Sequence, residues 1–273
     1  MKYLLIVLGV IVVLVLVVWL GLLVRPAPFA VYPRPAGPVT RVPLPAGLPA
    51  PVERYYRTLY GDQVPLITSV VLTGRATMRP AGPLDIPARF RFTHQAGQNY
   101  RHYFEATFFG FPFLRINEHF LDGRGQLEFP AFMGGVTQGP NVDQGGNLAL
   151  WAEASWFPSL WVTNPRVRWE PVDAETALLS VPFGEAAEYF VVRFDPATGL
   201  ITLMESMRFR GTTDAKKILW LNEVVAWGQL DGQLTDVTGA VTWFDQRQPW
   251  ATFTVESVVF NSDVTQYVRQ SGP

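Results

Sequence analysis

From Tyr3 to Val24 the chain runs for 22 residues without a charge, and Leu, Val and Ile dominate. At ~1.5 Å per residue such a helix reaches roughly 33 Å, enough for a hydrocarbon core of about 30 Å. A cleaved signal would carry a shorter apolar stretch, with small residues before the cut. Here the exit reads Val24-Arg25-Pro26-Ala27-Pro28-Phe29-Ala30, and its prolines spoil that pattern. Residues 1–24 are therefore expected to remain as a transmembrane anchor.

The next pattern is proline. Nine prolines (Pro26, Pro28, Pro33, Pro35, Pro38, Pro43, Pro45, Pro49 and Pro51) fall in residues 25–51. That density argues against helix and sheet and favours extended polyproline II, at about 3.1 Å per residue. The stretch reads as a stalk that holds a domain away from the bilayer. Alternatively, Phe29, Val31, Tyr32, Val42 and Leu44 give it enough apolar grip to lie along the domain or a partner.

Beyond the stalk, residues 51–59 predict a short helix with Val52, Tyr55, Tyr56 and Leu59 on one face. From Leu66 the period switches to two. Arg89 to Thr93 alternates, Gln95-Ala96-Gly97-Gln98 turns the chain, and Tyr100 to Thr107 returns. Asp122-Gly123-Arg124-Gly125 joins strands at Phe113 to Phe120 and Gln126 to Phe129. A third hairpin runs from Tyr189 to Phe194 and back over Leu200 to Phe209. Further strands are expected near 167–171, 177–181, 219–226, 237–244 and 251–261. One helix, Leu148 to Trp156, stops at Pro158, and Asp143-Gln144-Gly145-Gly146-Asn147 reads as a loop whose Asn147 caps it. Consecutive hairpins are antiparallel, since parallel strands need long crossovers. The fold class is mainly β: a large curved antiparallel sheet or half-barrel with one or two short helices, forming one domain over 52–273.

Composition narrows the function classes. A net charge of -1 leaves no electrostatic footprint for nucleic acid. With no cysteine there is no disulfide, thiol nucleophile or thiolate metal site. Lys2 before the apolar stretch and Arg25, Arg34 and Arg41 after it leave the positive-inside rule undecided. Short N-terminal tails usually stay in the cytoplasm, which puts the domain outside a single-pass anchor in the cell membrane.

Candidate chemistry is sparse. His94 and His102 flank the turn at residues 95–98. If Phe92 pairs with His102, the two histidines share a face, and a one-residue slip would separate them. His119 lies on the next hairpin. A metal site from these needs several strands in register and shows no motif such as His-Glu-x-x-His, so surface or hydrogen-bonded histidines are expected and no metal. Glu153 shares a helix face with Trp156. Beside an indole it reads as a general acid of raised pKa, or as a structural carboxylate paired with Arg166 or Arg168. Ser155, Ser159 and Ser180 lack a nucleophile elbow. No catalytic residue and no cofactor follow from these signals.

Aromatics stand out. Trp151, Trp156, Phe157, Trp161 and Trp169 fall within nineteen residues, and Phe104, Phe108, Phe109, Phe111 and Phe113 within ten. Phe109, Phe111 and Phe113 share strand parity. Such residues either fill the concave side of a curved sheet or line an apolar groove for a lipid, acyl chain or quinone.

Three segments carry a resemblance. Leu48-Pro49-Ala50-Pro51-Val52-Glu53-Arg54-Tyr55 resembles the opening of an uncharacterised bacterial family of membrane-anchored proteins, a domain of unknown function. Ala152-Glu153-Ala154-Ser155-Trp156-Phe157-Pro158 with residues 167–177 is similar to its central signature, and Val258-Val259-Phe260-Asn261 fits its close. The match spans most of 48–261 and departs from the family between Phe209 and Trp250. The family implies no activity. Its strand-rich layout is similar to the half-barrel fold of lipoprotein carriers, which implies fold alone.

The leading expectation is a membrane-anchored, noncatalytic module that binds a lipid-like apolar ligand or a partner protein. Its ligand residues would come from Phe109, Phe111, Phe113, Trp151, Trp156, Trp169 and Glu153. The alternative is a structural accessory subunit of a membrane protein complex, and an enzyme comes third. A deep aromatic cavity would favour the first and a filled core with an exposed apolar stripe the second. An open cleft with Glu153 facing a histidine would revive the third.

Overall fold

A computed structural model describes residues 2–32, 39–80, 84–246 and 248–273. The apolar stretch is one helix, α1 (Lys2–Leu23), of mean hydropathy 3.3, long and apolar enough to cross a membrane. It stands clear of the rest except at its last turn, where Gly21 is buried.

Pro33, Arg34, Pro35 and Pro38 lie outside the described residues. The rest of the proline-rich stretch lies along the domain rather than standing off from it. The Ala27 and Ala30 carbonyls accept hydrogen bonds from Arg89 and Arg91. Phe29 packs on Tyr103 with the Arg89 guanidinium 4.4 Å from its ring centre. Proline does not exclude regular structure here. Strand β1 (Arg41–Pro43) pairs antiparallel with β2 (Gln63–Pro65). Between them, α2 (Ala50–Tyr60) carries Pro51 in its first turn, where a missing N–H costs nothing. α2 buries Val52, Tyr55 and Tyr56 and ends at Gly61, whose φ of 71° suits a residue without Cβ.

The body is a thirteen-stranded antiparallel sheet. Its first six strands are β3 (Ser69–Met78), β4 (Ile86–Gln95), β5 (Asn99–Phe108), β6 (Phe111–Leu121), β7 (Arg124–Glu128) and β8 (Val136–Gln138). Helix α3 (Pro140–Ala152) and α4 (Leu160–Thr163) follow. The sheet then resumes with β9 (Arg168–Pro171), β10 (Thr176–Phe183), β11 (Ala186–Phe194), β12 (Ile201–Arg208), β13 (Ile218–Leu230), β14 (Gln233–Trp243) and β15 (Ala251–Phe260). The spatial order runs from β8 down to β3, crosses to β15, and continues down to β9, so β8 and β9 are the free edges. The predicted hairpins form as expected. Asp122 and Gly123, with φ of 52° and 82°, make the tight two-residue turn between β6 and β7.

Register shifts in β5–β6, β11–β12, β13–β14 and β15–β3 mark bulges that bend the strands. The sheet curls around α3, which touches β6 and β7 on one flank and β10 and β12 on the other. Phe90, Phe92, Trp151, Phe157, Trp161 and Phe190 fill the space between.

One expectation needs correcting. Residues 143–147 are not a loop capped by Asn147; they lie inside α3 and are buried. A Cβ on Gly146 would sit 2.8 Å from the Phe120 ring, and one on Gly145 3.1 Å from the Arg208 guanidinium. The glycines let the helix approach the sheet. Asp143 accepts from the Gly125 N–H and Arg124 at one flank, and Gln144 donates to the Met207 carbonyl at the other.

Candidate functional site

Alternation decides what faces α3. On β5 the residues Tyr100, His102 and Phe104 point inward; on β4 it is Phe90, Phe92 and His94; on β6, Ile116, Glu118 and Phe120. The register Phe92↔His102↔Glu118 brings them into line across the three strands. The two histidines therefore share the concave face, a register that the sequence left open and that Gln95 pairing with Asn99 across residues 96–98 sets. His119 has the opposite parity and stays away from them.

Above this row α3 tightens into a 3-10 turn at Glu153–Trp156. That turn lowers Glu153 onto both histidines. Its Oε2 lies 2.7 Å from His102 Nε2 and 3.0 Å from His94 Nε2. On the far side of the His102 ring, Nδ1 lies 3.6 Å from Glu118 Oε2, and the Tyr100 hydroxyl donates to Glu118 Oε1 at 2.7 Å. His94 is fully buried, and the N–H direction of its Nε2 misses the nearby carboxylate, so neither ring nitrogen makes a hydrogen bond.

Charge follows geometry. Burial works against a charge on His102, but Glu153 and Glu118 outweigh it and hold the imidazolium up to about 9. Burial alone would raise Glu153; His102 and His94 instead bring it down to about 2. The raised-pKa general acid expected of a carboxylate beside an indole is thus not what forms, because the histidines and not Trp156 dominate its surroundings. Its partners are these histidines, where Arg166 or Arg168 was expected. His94 is lowered, chiefly by burial.

His102, Glu118 and Glu153 of the cluster line one side of a pocket of about 100 Å³ between the turn and strands β4–β6 and β12–β15. Its walls include Phe92, Phe104, Trp156, Met204, Trp220, Trp250 and Phe253, with Arg208, Asn222 and Asp236 among them. Burial, offset only in part by hydrogen bonds from Ser155 and Thr238, pushes Asp236 up to about 7. Trp156 Nε1, Trp220 Nε1, Trp250 Nε1, Asn222 Nδ2, Arg208 Nε and Asp236 Oδ1, all on pocket residues, are buried without a hydrogen-bond partner. Native interiors rarely leave such groups unpaired, since each costs about 1–3 kcal/mol.

Of the seven residues singled out from sequence, the pocket brings together Glu153 and Trp156. Trp151 is core, its carbonyl accepting from Trp161 Nε1. Trp169 is half-buried on edge strand β9, packed edge-on against Trp161. Phe109, Phe111 and Phe113 are 41%, 75% and 58% exposed. They lie roughly 20 Å along β5 from His102, at the hairpin end beside α1. There the Phe109 N–H donates to the Gly21 carbonyl at 2.9 Å. Glu118, Asn222, Arg208 and Asp236 were not anticipated. The available signal was a polar residue at an inward position of an otherwise apolar strand face.

The model of a family of unknown function, DUF6544, matches residues 38–255, and the chain belongs to that family. No protein of curated function matches the sequence. Among solved structures, a LolA superfamily protein from Nitrosomonas europaea is similar at 8% identity and TM-score 0.44, over 79% of this chain and 95% of that one. A DUF1329 family protein from Desulfovibrio piger is similar at 11% identity and TM-score 0.40, over 72% and 89%.

Proposed function

We propose that this member of the DUF6544 family is a noncatalytic module, held at the cell membrane by α1 with its β domain outside. Its pocket binds a lipid-like small molecule with an apolar body and an oxygen-rich polar end. The observation that carries the reading is the coincidence of two features in one cavity. The aromatic and aliphatic walls suit an apolar body, and the polar side chains of Arg208, Asn222, Glu118 and Asp236 in the same lining suit a polar end. The His102–Glu153 pair favours binding over acid–base catalysis. General acids and bases work best with a pKa near the working pH, whereas each member of this pair holds the other in its charged form.

Anchoring draws support from the length of α1 and from its docked last turn, where Gly21 leaves room for the Phe108 ring. This contact sets the exposed Phe109, Phe111 and Phe113 beside the helix end. They also favour a second reading, an accessory subunit that meets a membrane partner through this hairpin.

Native mass spectrometry with lipid extraction, on the full-length protein in detergent, separates the two readings. The first predicts a co-purified small molecule of defined mass that is lost in Asn222→Leu and retained in Phe111→Ser. A bare chain accompanied by a stoichiometric protein partner, lost in Phe111→Ser, would replace it with the second.

A further inference from the structure

We infer that His94, His102 and Glu153 form a binding site for a divalent transition-metal ion of the zinc class. Three donor atoms converge from three elements: His94 Nε2 from β4, His102 Nε2 from β5, and Glu153 Oε2 from the turn after α3. All lie within 4.8 Å of one another, with the carboxylate oxygen 2.7 and 3.0 Å from the two nitrogens. Ligands about 2.0–2.1 Å from a tetrahedral ion stand roughly 3.3 Å apart, so an ion requires the carboxylate oxygen to draw back from both nitrogens and the two imidazoles to close to that spacing.

Two further observations point to a ligand. His94 is completely buried, yet its Nε2 sits 3.0 Å from a carboxylate oxygen without the alignment of a hydrogen bond. On the other ring, Glu118 faces His102 Nδ1, and Tyr100 holds Glu118 in turn. A carboxylate behind the non-ligating nitrogen is the usual support of a metal-bound histidine, because it fixes the ring and its tautomer. Glu118 and Glu153 together balance a divalent charge away from water. Two imidazoles and a carboxylate, with no thiolate in the chain, suit zinc and its neighbours in the series. Glu153 and His102 both line the pocket, so a fourth position on the ion faces the cavity.

When the ion binds, the proton on His102 leaves to solvent and the imidazole nitrogen takes the metal. The site stands apart from the ligand reading, since an ion can sit here whether or not the apolar walls hold anything. The test uses the full-length protein in detergent, stripped with EDTA and titrated with Zn²⁺ by calorimetry. Metal content is then counted by plasma mass spectrometry. One zinc per chain is expected, with a loss of ~100-fold or more in affinity for His94→Gln and for His102→Gln, and about 10–100-fold for Glu118→Gln. His119→Gln, on the opposite face, should bind as the wild type does. Should either histidine variant lose its β-rich circular dichroism, Glu153→Gln takes its place under the same criterion. A stripped wild type that takes up no zinc, or a folded His94→Gln chain that binds it undiminished, overturns the site.

Discussion

Asp236 is a carboxyl group that the fold keeps from ionising. Its pKa rises to about 7 because burial outweighs the hydrogen bonds from Ser155 and Thr238. In the unfolded chain it would titrate near 3.9. Between pH ~4 and ~7 the folded chain holds a proton that the unfolded chain releases, so stability falls as pH rises through that window and levels off above it. Asp236→Asn should remove this slope and raise the melting temperature at neutral pH, read from melting curves between pH 4 and 8. A variant that follows the wild-type profile would show that Asp236 is ionised in the fold. At this scale the sequence was legible where neighbours decide and opaque where distance decides. The turn at residues 95–98 placed His94 and His102 on neighbouring strands and left open whether they share a face. Nothing local said that Glu153, some fifty residues on, would descend on both. Nor could spacing tell that Phe111 points outward, because Pro112 and Phe113 beside it give none of the polar alternation that Arg91 and Thr93 give Phe92.

At the scale of elements, α3 shows why composition misleads. Gly145 and Gly146 read as loop residues, since glycine costs a helix about 0.8–1.0 kcal/mol relative to alanine. Close packing reverses the preference: the absent side chains let α3 settle on Phe120 and Arg208. Gly146→Leu would drive a side chain into the Phe120 ring, and overpacking of this kind costs typically about 1–3 kcal/mol. Chemical denaturation should show a lower midpoint at unchanged slope, whereas Gly123→Ala, in the open β6–β7 turn, acts through backbone strain alone. A Gly146→Leu chain as stable as the wild type would mean that α3 does not seat against β6 as described. The three predicted hairpins behaved differently. Each is specified by a turn and by period-two alternation over about ten residues, so each was readable from its own segment. The proline-rich stretch was expected to hold neither helix nor sheet, yet it carries β1 and the start of α2, and its docking depends on Arg89, Arg91 and Tyr103, which lie some sixty residues away or more.

At the scale of the molecule, the anchor, the curled sheet and the enclosed helix form a continuous argument. Bulges bend a thirteen-stranded sheet, the bend creates a concave face, and α3 fills most of that face and leaves a polar-tipped pocket beside its last turn. Mainly β architecture was legible because three hairpins, over 89–107, 113–129 and 189–209, announced themselves, while the long β13–β14 hairpin at Asp231 and Gly232 did not. The order β3–β15, which closes the middle of the sheet by pairing its first long strand with its last, was not, since it joins segments about 180 residues apart. We propose this pocket as the seat of an apolar ligand. Its most direct test is a titration of the full-length, delipidated protein with a fluorescent fatty-acid probe. Val241→Trp, which fills the pocket from β14, is measured beside Phe111→Ser, which alters only the exposed hairpin. The account predicts saturable binding at one site in the wild type and in Phe111→Ser, and its loss in Val241→Trp. Undiminished binding in a folded Val241→Trp chain, with loss in Phe111→Ser, would move the ligand from the pocket to the hairpin and contradict it.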